Sequence, residues 1–263
     1  MTQHQARTEL LRNEPVAPDI FRLTLTAPEI AGAARPGQFV MVRVSDGLDP
    51  LLRRPFSIHQ ANSDGTIQLL YKRLGKGTTL LAGLRPGASI DVVGPLGRGF
   101  AVAEDEAVCL LGGGMGIAPL YFLARELLRT STPPRLVALL GARNRAELAP
   151  LLSDFEALGV ETYSATDDGS LGHHGYVAEL MEKKLAVGAA WAIRACGPHP
   201  MLKGVAAICR EKNWPCQVSL ETMMACGISA CLGCAIPRAG LSGPYLHVCK
   251  DGPVFDAQEV AWP

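Results

Sequence analysis

An excess of charge of either sign is absent from this sequence: 25 Lys and Arg face 25 Asp and Glu. A chain without a global field has no general pull on nucleic acid or anionic lipid, so any partner has to be recognised locally. A long unbroken apolar run is missing too. The most apolar stretch, Ala107 to Ala124, carries Gly112, Gly113, Gly114, Gly116 and Pro119 in its middle, which argues against a transmembrane helix. The N-terminus, Met1-Thr-Gln-His-Gln-Ala-Arg-Thr-Glu, lacks the apolar core of a signal peptide, and the expected compartment is the cytoplasm, with thiols reduced. Internal repeats and low-complexity segments are also absent.

What is present, in 263 residues of which 48% are hydrophobic, is enough chain for two or three domains. From Asp19 to Val93 short runs of alternating or β-branched residues (Phe21 to Thr26, Gln38 to Val44, Thr66 to Lys72, Ser89 to Val93) are separated by Pro-Gly and Asp-Gly turns. This pattern predicts a small antiparallel barrel. After Phe100 the rhythm becomes strand then helix: Ala107–Leu111 and Pro119–Arg129, Arg135–Leu140 and Ala146–Leu158, Glu161–Ala165 and Tyr176–Lys184, Ala190–Arg194 and Pro200–Glu211. Such alternation predicts a parallel sheet covered by helices. The remainder, rich in Cys, Gly and Pro, is too short for a core of its own and is expected to rely on a metal centre. The expected protein is thus a multi-domain α+β and α/β chain: a β-barrel domain over 1–101, a Rossmann-like parallel α/β nucleotide domain over 102–217 and a small metal-cluster domain over 218–263.

Cysteine spacing carries the strongest chemical signal. Of eight cysteines, Cys109, Cys196, Cys209 and Cys216 are scattered singly in apolar segments and read as small buried apolar residues. Cys226, Cys231, Cys234 and Cys249 fall within 24 residues, spaced x4, x2 and then fourteen residues, the plant-type [2Fe-2S] pattern. Four thiolates have to converge on two irons; a tight loop supplies three and a returning segment the fourth. Gly227, Ala230 and Gly233 keep that loop small, so backbone N–H groups can turn toward sulfur. The plainer alternative, a structural zinc site, normally repeats the two-residue spacing in both halves, and only one half has it here.

Ala107-Val-Cys-Leu-Leu-Gly112-Gly113-Gly114-Met-Gly116-Ile-Ala-Pro119 reads as an apolar strand, a glycine turn and a helix start. Such a turn either lets backbone amides meet a pyrophosphate or merely redirects the chain. No Gly stands three residues after Gly116, and no acidic residue ends the second strand, where Gly141-Ala-Arg143-Asn-Arg145 follows. NAD and NADP both stay open on these residues. Cys196-Gly197-Pro198 and Asp167-Asp168-Gly169-Ser170 lie at strand ends, where parallel sheets build their ligand crevice.

Arg53-Arg54-Pro55-Phe56-Ser57-Ile58, followed by Tyr71-Lys72-Arg73 and Gly75-Lys76-Gly77-Thr78, completes the set. Arg-Pro-Phe-Ser in a barrel, then the glycine loop, then Cys-Gly-Pro, resembles the ferredoxin-NADP reductase superfamily. With the tail Glu221-Thr-Met-Met-Ala-Cys226 and its three further cysteines, the chain is similar over nearly its whole length to the electron-transfer subunits of type B dihydroorotate dehydrogenase. The resemblance implies that Arg54, Pro55, Phe56 and Ser57 hold FAD, with Arg54 and Ser57 on its phosphates, and that Tyr71, Lys72, Arg73, Gly77 and Thr78 line the same FAD. It implies that Gly112, Gly113, Gly114, Gly116, Cys196, Gly197 and Pro198 form the NAD site, and that the four clustered cysteines bind the [2Fe-2S] centre. An Arg fork and a hydroxyl suit a pyrophosphate, whereas the plain role for Arg54 is a surface ion pair.

The same resemblance implies a partner: an FMN-containing catalytic subunit that oxidises dihydroorotate in pyrimidine biosynthesis, assembled two plus two as a heterotetramer, with NAD as final acceptor. Hydride transfer between nicotinamide and flavin needs stacking more than a proton carrier, so none is assigned to His59, His173, His174, His199 or His247. Met223, Met224, Ile228 and Leu232 form either a partner surface or plain loop packing. Two other functions fit the residues: a stand-alone NAD(P)H-dependent reductase feeding a ferredoxin or an oxygenase, and a non-enzymatic sensor or scaffold stapled by its metal.

Overall fold

A computed structural model describes residues 2–102, 106–185, 190–240 and 245–262. The N-terminal third closes into a six-stranded barrel. Its strands are β1 (His4–Ala17), β2 (Ile20–Thr26), β3 (Phe39–Val42), β4 (Arg54–Ala61), β5 (Thr66–Lys72) and β6 (Ser89–Leu96), with short helices α1 (Pro28–Ala33) and α2 (Lys76–Ala82) between them. The order is β1-β2-β5-β4-β3-β6, antiparallel throughout. Alternating side chains such as Leu23, Leu25, Val40, Val42, Ile67 and Leu69 fill its interior.

Two of these strands escaped the pattern. β1 is largely polar, and its pairing slips between Leu10 and Arg12, where it passes from β6 to β2 as neighbour. It therefore shows no steady alternation. β4 carries the Arg-Pro-Phe-Ser sequence, and its Pro55 masks a strand signal.

The second unit is a seven-stranded sheet, β10-β9-β8-β7-β11-β12-β15. Its strands are β7 (Ala107–Gly113), β8 (Arg135–Ala142), β9 (Glu161–Thr166), β10 (His173–His174), β11 (Ala192–Cys196), β12 (Cys216–Ser219) and β15 (Val254–Asp256). The helices are α3 (Ile117–Leu128), α4 (Arg145–Ala157), α5 (Val177–Lys184) and α6 (His199–Lys212). All pairings are parallel except β12 with β15. The apolar stretch 107–124 divides into β7, a 3-10 turn at Gly114–Gly116 and the start of α3. Among the described residues no helix is long and apolar enough to cross a membrane.

The C-terminal region adds a ribbon of β13 (Ala235–Ile236) and β14 (Leu246–His247) and then returns to the sheet as β15. Its buried Cys234, Leu246, Val248, Cys249, Phe255 and Val260 share one apolar cluster with the sheet face under α5 and α6 and with Phe39, Met41 and Leu96 of the barrel. The region was expected to depend on a metal. It also has strand pairing and a share in a large core.

Helix α3 joins barrel to sheet. Arg125 donates to Gln60 Oε1 at 2.5 Å and to Asn62 Oδ1 at 3.0 Å, and Arg22 pairs with Asp154 on α4. His59, 1% exposed, holds Ala118 O through Nδ1 at 3.0 Å and stacks on Tyr121.

Candidate functional site

A cleft of about 260 Å3 opens between β4 and β5 of the barrel and the C-terminal ends of β12 and the glycine turn. Pro55, Phe56, Ser57, Tyr71, Lys72 and Thr78 line it, together with Phe39, Leu70, Met115 and Ala118. Strand pairing brings the motif here: Phe39 lies opposite Ser57 and Met41 opposite Pro55. Arg54 is outside this lining; its Nη1 donates to Leu52 O at 2.7 Å, and its Nε lies against Gly77. No carboxylate pairs with Arg54 among the described residues, in contrast to Arg53, which grips Asp91 at 2.6 Å. The ion-pair role thus falls to the neighbouring arginine, and Nε and Nη2 of Arg54 are available to an anion.

Three residues of the set have other engagements. Tyr71 is buried, its hydroxyl donates to Asn13 Oδ1 at 3.0 Å, and burial pushes its phenol up to about 12. Arg73 forms a two-pronged pair with Asp19, at 2.6 and 3.0 Å, and does not line the cleft. The Thr78 hydroxyl accepts the N–H groups of Leu74 and Gly75 at the start of α2. The cleft as a whole, apolar walls with a few polar groups and, next to Pro55 in the chain, an Arg54 without a carboxylate partner among the described residues, fits a ring system bearing phosphates.

A second cavity, about 710 Å3, lies over the C-terminal ends of β7, β8 and β9. Gly113, Gly114 and Pro198 line it, whereas Gly112, Gly116, Cys196 and Gly197 do not. These four pack beneath it: a side-chain carbon on Gly116 would collide with the Cys196 carbonyl, so the turn and the Cys-Gly-Pro segment lie backbone against backbone. The cavity also takes Arg143, Asp167, Tyr176 and Met201. Lys72 lines both cavities, with its ammonium on Glu147 Oε1 at 2.9 Å.

The cysteine loop 226–234 is wound tightly, with Gly227, Ser229 and Leu232 all in the left-handed region at φ 72°, 63° and 60°. That winding aims backbone donors at sulfur: Ser229 N–H at Cys249 Sγ (3.2 Å), and the N–H groups of Ala230 and Cys231 at Cys226 Sγ (3.3 and 3.4 Å). Burial alone would raise the Cys226 thiol, but the N–H groups of Cys231, Ile228 and Ala230, with the Cys231 side chain, outweigh it and bring the thiol to about 7. Cys234 and Cys249 stand 3.2 Å apart, and burial together with Cys234 pushes Cys249 up to about 12. Such a close pair holds two thiolates only with positive charge beside them, which iron supplies. Among the described residues no three His, Cys, Asp or Glu converge on a single-ion site. The donor set of four thiols, two of them adjacent and two receiving N–H groups, fits a binuclear cluster.

Sequence reasoning missed Ser219, Leu220, Glu221 and Thr222, which with Met224 and Pro253 form the far wall of the first cleft. Burial raises the Glu221 carboxyl, although the residue as a whole is exposed. Their position just after the last parallel strand is the signal that could have found them, had β12 been recognised. They also tie the sites together: Met224 lines the cleft, and Cys226 begins the cluster loop two residues later.

Comparison with known proteins adds to this geometry. Residues 8–100 match the family described as oxidoreductase FAD-binding domain, 110–207 the oxidoreductase NAD-binding domain, and 221–261 the iron-sulfur cluster binding domain of dihydroorotate dehydrogenase B. The dihydroorotate dehydrogenase B (NAD(+)) electron transfer subunit of Geobacillus kaustophilus is 42% identical over 249 residues, 93% of this chain and 94% of that protein. The subunit of the same name from Desulforamulus reducens is 40% identical over 253 residues, 94% of each. The chain belongs to this family of electron transfer subunits. As such a subunit it carries FAD-binding, NAD-binding and iron-sulfur cluster binding domains. Among solved structures, that of NADH-dependent reduced ferredoxin-NADP oxidoreductase, determined for insight into flavin-based electron bifurcation, superposes with a TM-score of 0.87 at 31% identity, covering 98% of this chain and 90% of that one. The ferredoxin reductase of carbazole 1,9a-dioxygenase shares the fold at a TM-score of 0.67 and 21% identity, covering 82% of this chain and 68% of that one.

Proposed function

We propose that this chain is the electron-transfer subunit of an NAD-linked dihydroorotate dehydrogenase, acting beside an FMN-containing catalytic subunit in pyrimidine biosynthesis, in the cytoplasm and as a two-plus-two heterotetramer. The observation that carries the reading is the adjacency of three sites: the cleft shares Lys72 with the nucleotide cavity and, through Met224, adjoins the cysteine loop. When bound, the [2Fe-2S] cluster moves single electrons, FAD converts single electrons to pairs, and nicotinamide accepts the pair.

The chain's own residues bind and orient. Arg54 and Ser57 hold the flavin phosphates, while Pro55, Phe56, Tyr71 and the Gly77-Thr78 turn wall it; Lys72, between the two cavities, serves the nucleotide as much as the flavin. Gly113, Gly114 and Pro198 present backbone to the nucleotide, and Gly112, Gly116, Cys196 and Gly197 set that surface from below. Cys226, Cys231, Cys234 and Cys249 hold the cluster. Arg73, occupied by Asp19, contributes to the barrel more than to the flavin. The domains divide at 101/102 and 217/218, with the last keeping β15 in the sheet.

Anaerobic protein, made with and without the dihydroorotate-oxidising flavoprotein, tests this: iron, sulfide and FAD are counted and dihydroorotate-dependent reduction of NAD is followed. NADH formed only with both chains, with two irons and one FAD per copy of this chain, is the expected result. The 31% identity to the ferredoxin-NADP oxidoreductase supports a second reading, a reductase that exchanges electrons with ferredoxin. Full cofactors with ferredoxin-linked but no dihydroorotate-linked activity would establish that one instead.

A further inference from the structure

We propose that Glu147 sets a preference for NAD over NADP by occupying Arg143, the arginine placed to meet a 2′-phosphate; this rests on reading the larger cavity as the nucleotide site. In open parallel sheets the residue ending the strand after the glycine-loop strand meets the adenosine ribose, an acid for a free 2′-hydroxyl or an arginine for a 2′-phosphate. Here that strand is β8, and Arg143, the next residue after it, lines the cavity. On its own it would mark an NADP site.

The structure turns that arginine to another use. Arg143 donates through Nε to Glu147 Oε1 at 3.1 Å and through Nη2 to the same oxygen, which Lys72 Nζ also reaches at 2.9 Å. Glu147 is 8% exposed and sits in the first turn of α4, where the Asn144 side chain accepts its N–H at 3.1 Å and the helix dipole favours a negative charge. Burial pushes its carboxyl up, but Arg143 and Lys72 outweigh that and hold it below the usual range, so it is ionised at neutral pH. Both cations lining the cavity are therefore engaged by one carboxylate, and Asp167 and Glu179 add two more negative groups to the wall.

A 2′-phosphate, about two negative charges at neutral pH, finds Nε and Nη2 of Arg143 already on Glu147; taking Nη1 alone would set two anions on one guanidinium, and a two-pronged grip would mean stripping Arg143 from Glu147. That would leave a buried carboxylate on Lys72 alone and bring the phosphate toward Asp167. The 5′-phosphate meets neither difficulty, because the backbone of the glycine turn can serve it without drawing either cation from Glu147. The discrimination thus comes from an unfavourable element directed at the wrong ligand, in addition to any contact with the right one.

Calorimetric titration of the FAD- and cluster-loaded protein with adenosine 5′-phosphate and with adenosine 2′,5′-bisphosphate tests this, since the pair differ only by the 2′-phosphate and neither is reduced. Glu147→Gln should tighten the bisphosphate by about tenfold relative to the monophosphate. Adding Arg143→Ala to that variant should erase the gain. An unchanged ratio in Glu147→Gln, or a gain that survives the added Arg143→Ala, overturns the inference while leaving the site in place. Failure of the unaltered protein to bind either nucleotide removes the site and the inference together. If Glu147→Gln loses its FAD or fold, Glu147→Asp decides: its shorter side chain draws the carboxylate back from Arg143 and should raise the bisphosphate-to-monophosphate ratio in the same direction, and an unchanged ratio overturns the inference.

Discussion

At the scale of single residues, a strongly perturbed histidine lies where the barrel meets α3. His59 is enclosed by β4 and α3, with Nδ1 on Ala118 O and Nε2 without a partner among the described residues. Burial, with Arg22 and Arg125 nearby, lowers it from 6.5 to about 3. The native protein therefore refuses a proton that the unfolded chain takes up below pH 6.5, so stability falls as pH drops through the window from 6.5 to about 3. The slope approaches about 1.4 kcal/mol per pH unit. Urea unfolding at about pH 7 and about pH 5 should show this loss, and His59→Phe should lessen the pH dependence whatever its absolute stability; an equal slope in the variant would assign the acid sensitivity elsewhere. Arg54 offers the second residue-scale test. With no carboxylate partner among the described residues, Arg54→Ala should weaken FAD retention by at least about tenfold at little cost in melting temperature. A variant that leaves gel filtration with full flavin refutes its assignment.

At the scale of elements, the glycine turn is a packed joint as much as a ligand surface. Gly116→Ala drives a carbon into the backbone of Cys196 and Gly197, which have no rotamer with which to give way. A cost of about 1–3 kcal/mol is expected, a fall of about 2–4 °C in melting temperature per kcal/mol, together with weaker nucleotide binding. Melting and nucleotide titration of the same sample check it, and an unshifted melting curve would show that the joint is looser than the structure has it. How legible an element was depended on its surroundings. β5 and the helices facing the sheet bury one regular face, and their limits could be read within about two residues. β1 serves two neighbours across a register shift with most side chains in water, β12 is four residues long, and β15 belongs to the sheet only through a return of the chain. None of these leaves a periodic trace. The site followed suit: Arg-Pro-Phe-Ser, the glycine turn and the cysteine spacing are local and were legible, whereas Glu147 and Ser219 to Thr222 gain meaning only from what the fold brings opposite them.

At the scale of the whole molecule, the question is whether the cysteine loop staples the structure or only carries electrons. Two observations favour the second. β15 pairs with β12, and Leu246, Val248, Phe255 and Val260 lie in the core shared with the sheet, so the C-terminal region has apolar burial to hold it when iron is lost. The same region also walls the flavin cleft through residues 219–222, Met224 and Pro253, which makes FAD content a reporter of whether it has kept its place. Cys231 is the exposed member of the four and contributes little packing. Cys231→Ser should therefore abolish the visible absorption of the cluster and the dihydroorotate-linked reduction of NAD, while FAD stays stoichiometric and NADH-to-dye turnover stays within about twofold of the unaltered protein. Iron and sulfide analysis, flavin release and the two assays on one preparation read all of these. Loss of FAD together with iron would mean that the metal staples the fold, and the independence of flavin and cluster argued from β15 and the shared core would fall.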